Sequence, residues 1–187
     1  MKALIVIDVQ ESFRHRPNWG DVSNPDVVDD VNLLVRSARS HGWTVVWVLH
    51  SEPGTGNVFD PALGSVRLQD GLVPMADEPV VTKTSRNAFT TTNLGQILQS
   101  HGVRDVMVAG IQTEQCCETT ARLAADLGYG VTFVTEATGT FPITRPDTGA
   151  VLTVDAVIER TEFALAGRFA RIVTLDEAVA EMPDSPA

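Results

Sequence analysis

Six apolar runs rich in β-branched residues punctuate the chain: ALIVIDV (3–9), TVVWVL (44–49), PVVTK (79–83), DVMVAGI (105–111), VTFVTEA (131–137) and RIVTL (171–175). Most are continuously apolar rather than alternating, which is how strands buried on both faces of a parallel sheet read. Between them the pattern predicts helices over 25–41, 92–101, 114–128 and 148–166, with a last short one over 176–182. Ser23, Asn24 and Pro25 make a helix start, and Gly42, Gly102 and Gly128 stand where helices stop. This alternation predicts an α/β fold, a three-layer α/β/α arrangement around a Rossmann-like, open, parallel six-stranded sheet. The expectation is one domain over 1–187.

Between the second and third strands lies a long excursion, 51–79, with five Gly or Pro in its first half and no clear periodicity. Loops of that length in a compact domain usually carry function, here as a lid or a subunit contact. Open parallel sheets bind ligands beyond the carboxyl ends of their strands. Three ionisable side chains fall at such ends: Asp8 closing the first strand, Lys83 closing the third, and Cys116 just past the fourth. Singly, each has an ordinary reading as a loop acid, a solvated lysine and a small buried hydrophobe. Together they can meet on one rim of the sheet.

Composition narrows the partners. Hydrophobic residues make up 43% of 187 and charged residues 20%, a globular composition. Net charge is −10 with Lys and Arg scattered, which leaves no electrostatic footprint for a phosphate backbone, so nucleic acid is not an expected partner. The first apolar run stops at Asp8, too short for a secretory core, and nothing downstream approaches a membrane span. The expected location is the cytoplasm.

Both cysteines of the chain are adjacent, Cys116 and Cys117. Neighbours in a regular helix point about 100° apart, so both are expected as free thiols. With Thr113 as N-cap, Cys116 takes the third helical position, where unpaired backbone N–H groups and the helix dipole lower a thiol pKa. Cys117 instead begins a stripe of small residues with Ala121, Ala124 and Gly128, suited to packing a helix on a sheet. One cysteine faces the site and its neighbour fills the core.

These residues resemble the isochorismatase-like cysteine hydrolases, which include nicotinamidases, N-carbamoylsarcosine amidases and ureidoacrylate amidohydrolases. ALIVIDVQESF resembles the family's opening signature, KTSRNAF its lysine segment, and GIQTEQCCETTARLAADLGYGV its nucleophile segment. The resemblance implies an Asp8-Lys83-Cys116 triad, a cis peptide between Ile111 and Gln112, and a homo-oligomer acting on a small-molecule substrate. Physically, Asp8 takes the thiol proton and later delivers it to the departing amine, while Lys83 keeps the acid ionised. Cys116 attacks a carbonyl carbon to give a thioester, and backbone N–H groups of Gln112 and Cys116 hold the oxyanion.

The sequence also departs from the family pattern. Isochorismatases of the family lack the cysteine, so Cys116 argues against that activity. Nicotinamidases carry an Asp-x-His and a distant His for a metal, whereas this chain reads LHSEPG, with His50 alone. The expectation is therefore no metal and no cofactor, with His50 a hydrogen-bonded structural residue and a nicotinamidase-like amidase the rival activity. A redox module using both thiols is the rival of another class. Asn87 and Glu136 stand where the family favours Ser and Asp. Arg86 could bind a substrate carboxylate, form an exposed ion pair or make a subunit contact. Gln10, Phe13, Trp19, Phe59, Phe89 and Phe141 are weaker candidates for the pocket wall, aromatics being more often plain core.

Overall fold

The computed structural model describes residues 1–182. In chain order the main elements are β1 (Lys2–Ile7), α1 (Glu11–Arg14), α2 (Val27–Ser40), β2 (Thr44–His50), β3 (Val80–Lys83), α3 (Leu94–Ser100) and β4 (Asp105–Ile111). They continue with α4 (Glu118–Asp126), β5 (Gly130–Gly139), β6 (Ile143–Thr144), β7 (Val151–Leu152), α5 (Val154–Leu165), β8 (Arg171–Val173) and α6 (Leu175–Ala180). Six strands form one parallel sheet in the order β3-β2-β1-β4-β5-β8.

Successive residues of each central strand feed opposite cores, which is why their sequences are apolar without alternation. Leu4, Val6, Val45, Trp47, Met107 and Ala109 pack under α2 and α6 on one face. Ala3, Ile5, Ile7, Val46, Val48, Val106 and Val108 pack on the other, with Leu94 and Leu98 of α3 and Ala121 and Ala124 of α4. Cys117 is fully buried in this second core. Both thiols are free.

Helix α2 starts at Val27, two residues inside the predicted start, because Asn24 Oδ1 accepts from the Asp26 backbone N–H in a local turn. The helix predicted over 148–166 is shorter. Its first residues belong to an antiparallel hairpin, β6 paired with β7, and α5 begins only at Val154 behind the Thr153 cap. The hairpin strands Ile143–Thr144 and Val151–Leu152 enclose Pro146 and Gly149, residues that favour a turn over a helix. Ahead of α6, Thr174 and Glu177 form a reciprocal capping box.

Past β4 the chain makes a π-helical turn, Thr113–Cys117, before α4, rather than entering an ordinary helix capped by Thr113. The Thr113 hydroxyl is spent on the Thr138 hydroxyl at 2.7 Å, and the Cys117 N–H reaches the Gln112 carbonyl at 3.1 Å. Wide turns of this kind often accompany functional sites. The approach to it depends on one residue. Gly110 has φ 132°, and a Cβ there would lie 1.9 Å from the Ile7 carbonyl oxygen, so only glycine lets β4 pass the end of β1. The β4–β5 register also shifts between Val108 and Gly110.

Candidate active site

The order of strands reverses between β1 and β4, the crevice where doubly wound sheets bind ligands. Asp8 follows β1 at this point with φ 54°, a left-handed conformation that aspartate tolerates better than most residues. Its backbone N–H bonds the Val48 carbonyl at 2.8 Å. Cys116 sits in the π turn after β4, and Lys83 ends β3 and reaches past the end of β2. The peptide between Ile111 and Gln112 is cis.

Three side chains separated by more than a hundred residues converge here. The Lys83 ammonium is fully buried and donates to Asp8 Oδ2 at 2.7 Å, to Cys116 Sγ at 3.4 Å and to His50 Nδ1 at 3.3 Å. Three donors thus meet three acceptors. Asp8 is also fully buried, yet its second oxygen, Oδ1, has no hydrogen-bond partner among the described residues. An orphaned buried acceptor costs about 1–3 kcal/mol, so its retention calls for a reason.

Burial raises the proton affinity of Asp8, against the opposing pull of Lys83. The Cys116 thiol is pushed up to about 12, first by burial and then by the Asp8 charge, with Lys83 opposing. This overturns the expectation of a dipole-lowered thiol. Desolvation and an adjacent carboxylate outweigh a helix terminus that is here a π turn. The thiol beside the buried Asp8 carboxyl is thus held above its ordinary pKa.

His50 Nδ1 accepts from Lys83, which can only donate, while Nε2 lies 3.0 Å both from Glu52 Oε1, to which it can donate, and from Arg86 Nη1, from which it can only accept. Burial holds the imidazole below its usual pKa. The His50 bond, joined by Asn57, lowers Glu52 to about 2. Among the described residues no three His, Cys, Asp or Glu side chains are gathered as ligands, and His50 faces an ammonium, so these donors do not fit a metal ion. His50 is a hydrogen-bonded element of the site floor.

A cavity of about 330 Å³ opens over these groups, lined by Asp8, Cys116, His50, Phe13, Phe59 and Arg86 among others. Such a volume fits a small molecule. Arg86 is half exposed, with Nη1 3.0 Å from His50 Nε2 and 3.5 Å from Glu52 Oε1, the exposed ion pair that was one of its readings. Gln112 lines the cavity, its side-chain carbonyl accepting from Arg16 at 3.3 Å.

Four candidates for the wall lie elsewhere. Gln10 is fully buried and bonds the backbone N–H and carbonyl of His50, fastening β1 to β2. Phe141 is buried behind Phe13, its ring stacked at 6.2 Å, and Trp19 packs on Phe141 from outside. Phe89 stacks on Tyr129 and lines a separate groove of about 900 Å³ along the β3 edge, in which no described lining residue is ionisable. Aromatic residues follow the core unless a loop turns them outward, as the 51–79 excursion does for Phe59.

Sequence reasoning missed Arg16, Glu52, Asn57, Val58 and Gln115, all cavity-lining. Three of them belong to the 51–79 excursion, which is fastened across the rim by Gln69 N–H to Val9, Glu11 N–H to Arg67 and Ser12 Oγ to Ser65. Its Gly and Pro content announced a loop but not where the loop would lie. The two departures from the family pattern have local roles: Asn87 Oδ1 accepts from the Phe89 and Thr90 N–H groups, and Glu136 accepts from the Leu175 N–H.

Sheet order, crevice and buried ionic cluster place a candidate site at the strand ends of this α/β fold, and comparison with known proteins gives it a family. Residues 2–167 match the model of the isochorismatase domain. Nicotinamidase 3 of Arabidopsis thaliana is 35% identical over 152 residues, covering 74% of this chain and 73% of that protein. Streptothricin hydrolase of Streptomyces noursei is 32% identical over 169 residues, covering 88% of this chain and 59% of that protein. A crystal structure of a hydrolase of the isochorismatase family from Chromobacterium violaceum superposes with a TM-score of 0.90 at 24% identity, covering 98% of this chain and 94% of that one. The chain belongs to the isochorismatase family. No helix among the described residues is long and apolar enough to cross a membrane.

Proposed function

We propose that this protein is a cysteine amidohydrolase that cleaves an amide-type C–N bond of a small amide, carbamoyl or ureido compound, or lactam. One observation carries the reading: a buried carboxylate with a free oxygen, Asp8 Oδ1, in a cavity shared with a thiol that Lys83 bridges to the same carboxylate. The amidase and hydrolase relatives support the bond class.

In this mechanism the Cys116 S–H proton passes to Asp8 as Sγ forms a bond to the substrate carbonyl carbon. A thiol held near 12 transfers its proton only as the attack proceeds, and a carboxylate whose proton affinity is raised by burial is the better acceptor. Lys83 stays within reach of both charges as they move. The tetrahedral oxyanion is held by the backbone N–H groups of Gln112 and Cys116, and protonated Asp8 gives its proton to the leaving nitrogen. Water then cleaves the Cys116 thioester, one proton returning through Asp8 to the sulfur.

A panel of small amides, carbamoyl compounds and lactams, assayed for ammonia or amine release, tests this reading. Cys116→Ala should lower turnover by about 10⁴-fold or more, and acid quench of the wild-type protein should trap an acyl adduct on Cys116. Turnover surviving in Cys116→Ala would overturn it.

A further inference from the structure

The cavity holds one cation without a carboxylate. Lys83 is paired with Asp8, and Arg86 lies over Glu52. Arg16, carried by the turn after α1, makes no ion pair among the described residues. Its one side-chain hydrogen bond goes from Nη1 to Gln112 Oε1 at 3.3 Å. The rest of the guanidinium fork is unspent.

Its position is nonetheless fixed. The guanidinium carbon lies 5.0 Å from the Phe141 ring centre and 5.8 Å from that of Phe13, so two aromatic faces hold its plane. Gln112 is held in turn, its side-chain N–H₂ donating to Glu114 Oε1 at 3.3 Å. Burial lowers the Arg16 pKa, with Glu114 only partly offsetting it, so an arriving anion would relieve a real desolvation cost. The lining carries two carboxylates, Asp8 and Glu52, and two cations, Arg16 and Arg86; Asp8 is paired with Lys83 beneath and Glu52 with Arg86, so Arg16 is the lining charge left without a partner. An unpaired, half-buried cation at the cavity wall favours an anionic guest.

We propose that Arg16 is a specificity-determining residue which receives a carboxylate of the substrate, so that the preferred substrate is a small amide or ureido acid rather than a neutral amide. A planar fork matches a carboxylate bidentately, and the aromatic shelf leaves its outer edge as the docking edge. This deepens the amidohydrolase reading and rests on it for the identity of the reacting bond.

The test separates the two. In Cys116→Ala protein, which cannot turn over, calorimetry compares N-carbamoylglycine with its neutral amide, N-carbamoylglycinamide. The acid should bind about tenfold or more tightly, the size of a charge-assisted contact. Arg16→Met should erase that preference, and Arg16→Lys, a point charge without the fork, should keep only part of it. Arg86→Met should keep most of it, since Glu52 already neutralises that cation. Equal affinity for the two compounds, a preference that survives Arg16→Met, or no binding of the acid overturns the proposal. If the acid binds through Arg16 but wild-type protein releases no ammonia from it or from the wider panel, the anion site stands and the hydrolase reading falls.

Discussion

Two buried carboxylates in this protein have opposite surroundings. Glu118, at the start of α4, has both oxygens satisfied: Arg122 donates at 2.8 and 2.9 Å, and Arg160 and the Thr161 hydroxyl complete the set. Asp8, in the crevice between β1 and β4, has one oxygen on Lys83 and the other without a hydrogen-bond partner among the described residues. Arg122 and Arg160 also reach solvent, whereas Lys83 is sealed. A fully paired carboxylate ties elements together. A half-paired one keeps room for a proton.

Substitutions can break or sharpen that contrast. The largest effect is expected from Asp8→Asn, which should lower amide turnover by about 10³-fold or more while Glu118→Gln leaves kcat within a few-fold, measured on one substrate. Next, Lys83→Met removes the partner of a sealed carboxylate and should cost about 3–5 kcal/mol in denaturant unfolding. Glu118→Gln should cost less, about 1–3 kcal/mol, because its arginines can turn to water. The smallest effect concerns Glu52. Its pKa falls from 4.5 to about 2 on folding, so the stability it contributes is whole above 4.5 and is lost as pH drops toward 2. Acid unfolding of Glu52→Gln should lack that portion of the pH dependence.

The sheet and the three central side chains were legible because each lies beside an apolar strand, and strand ends share one rim by topology. Cys117 was legible from the spacing of Ala121 and Ala124. What could not be read was path and burial. Arg16 follows a four-residue helix, and Glu52 and Phe59 sit in a loop whose course is set by contacts with Val9, Glu11 and Ser12. The thiol was misjudged for a related reason. The N-terminal helix argument considers local N–H groups, whereas Cys116 answers chiefly to desolvation and to Asp8, a residue far away in sequence.

The central claim is that Asp8 keeps Cys116 protonated at rest and takes its proton during attack. Its most direct test is the rate of Cys116 alkylation by iodoacetamide against pH, followed by peptide mass spectrometry in wild type and Asp8→Asn. The account predicts slow wild-type labelling that still climbs above pH 10, and faster labelling at pH 8 in Asp8→Asn, where Lys83 faces the sulfur without its carboxylate, even though turnover is lost. Rapid wild-type labelling, flat above pH 7 and unchanged by Asp8→Asn, would contradict it.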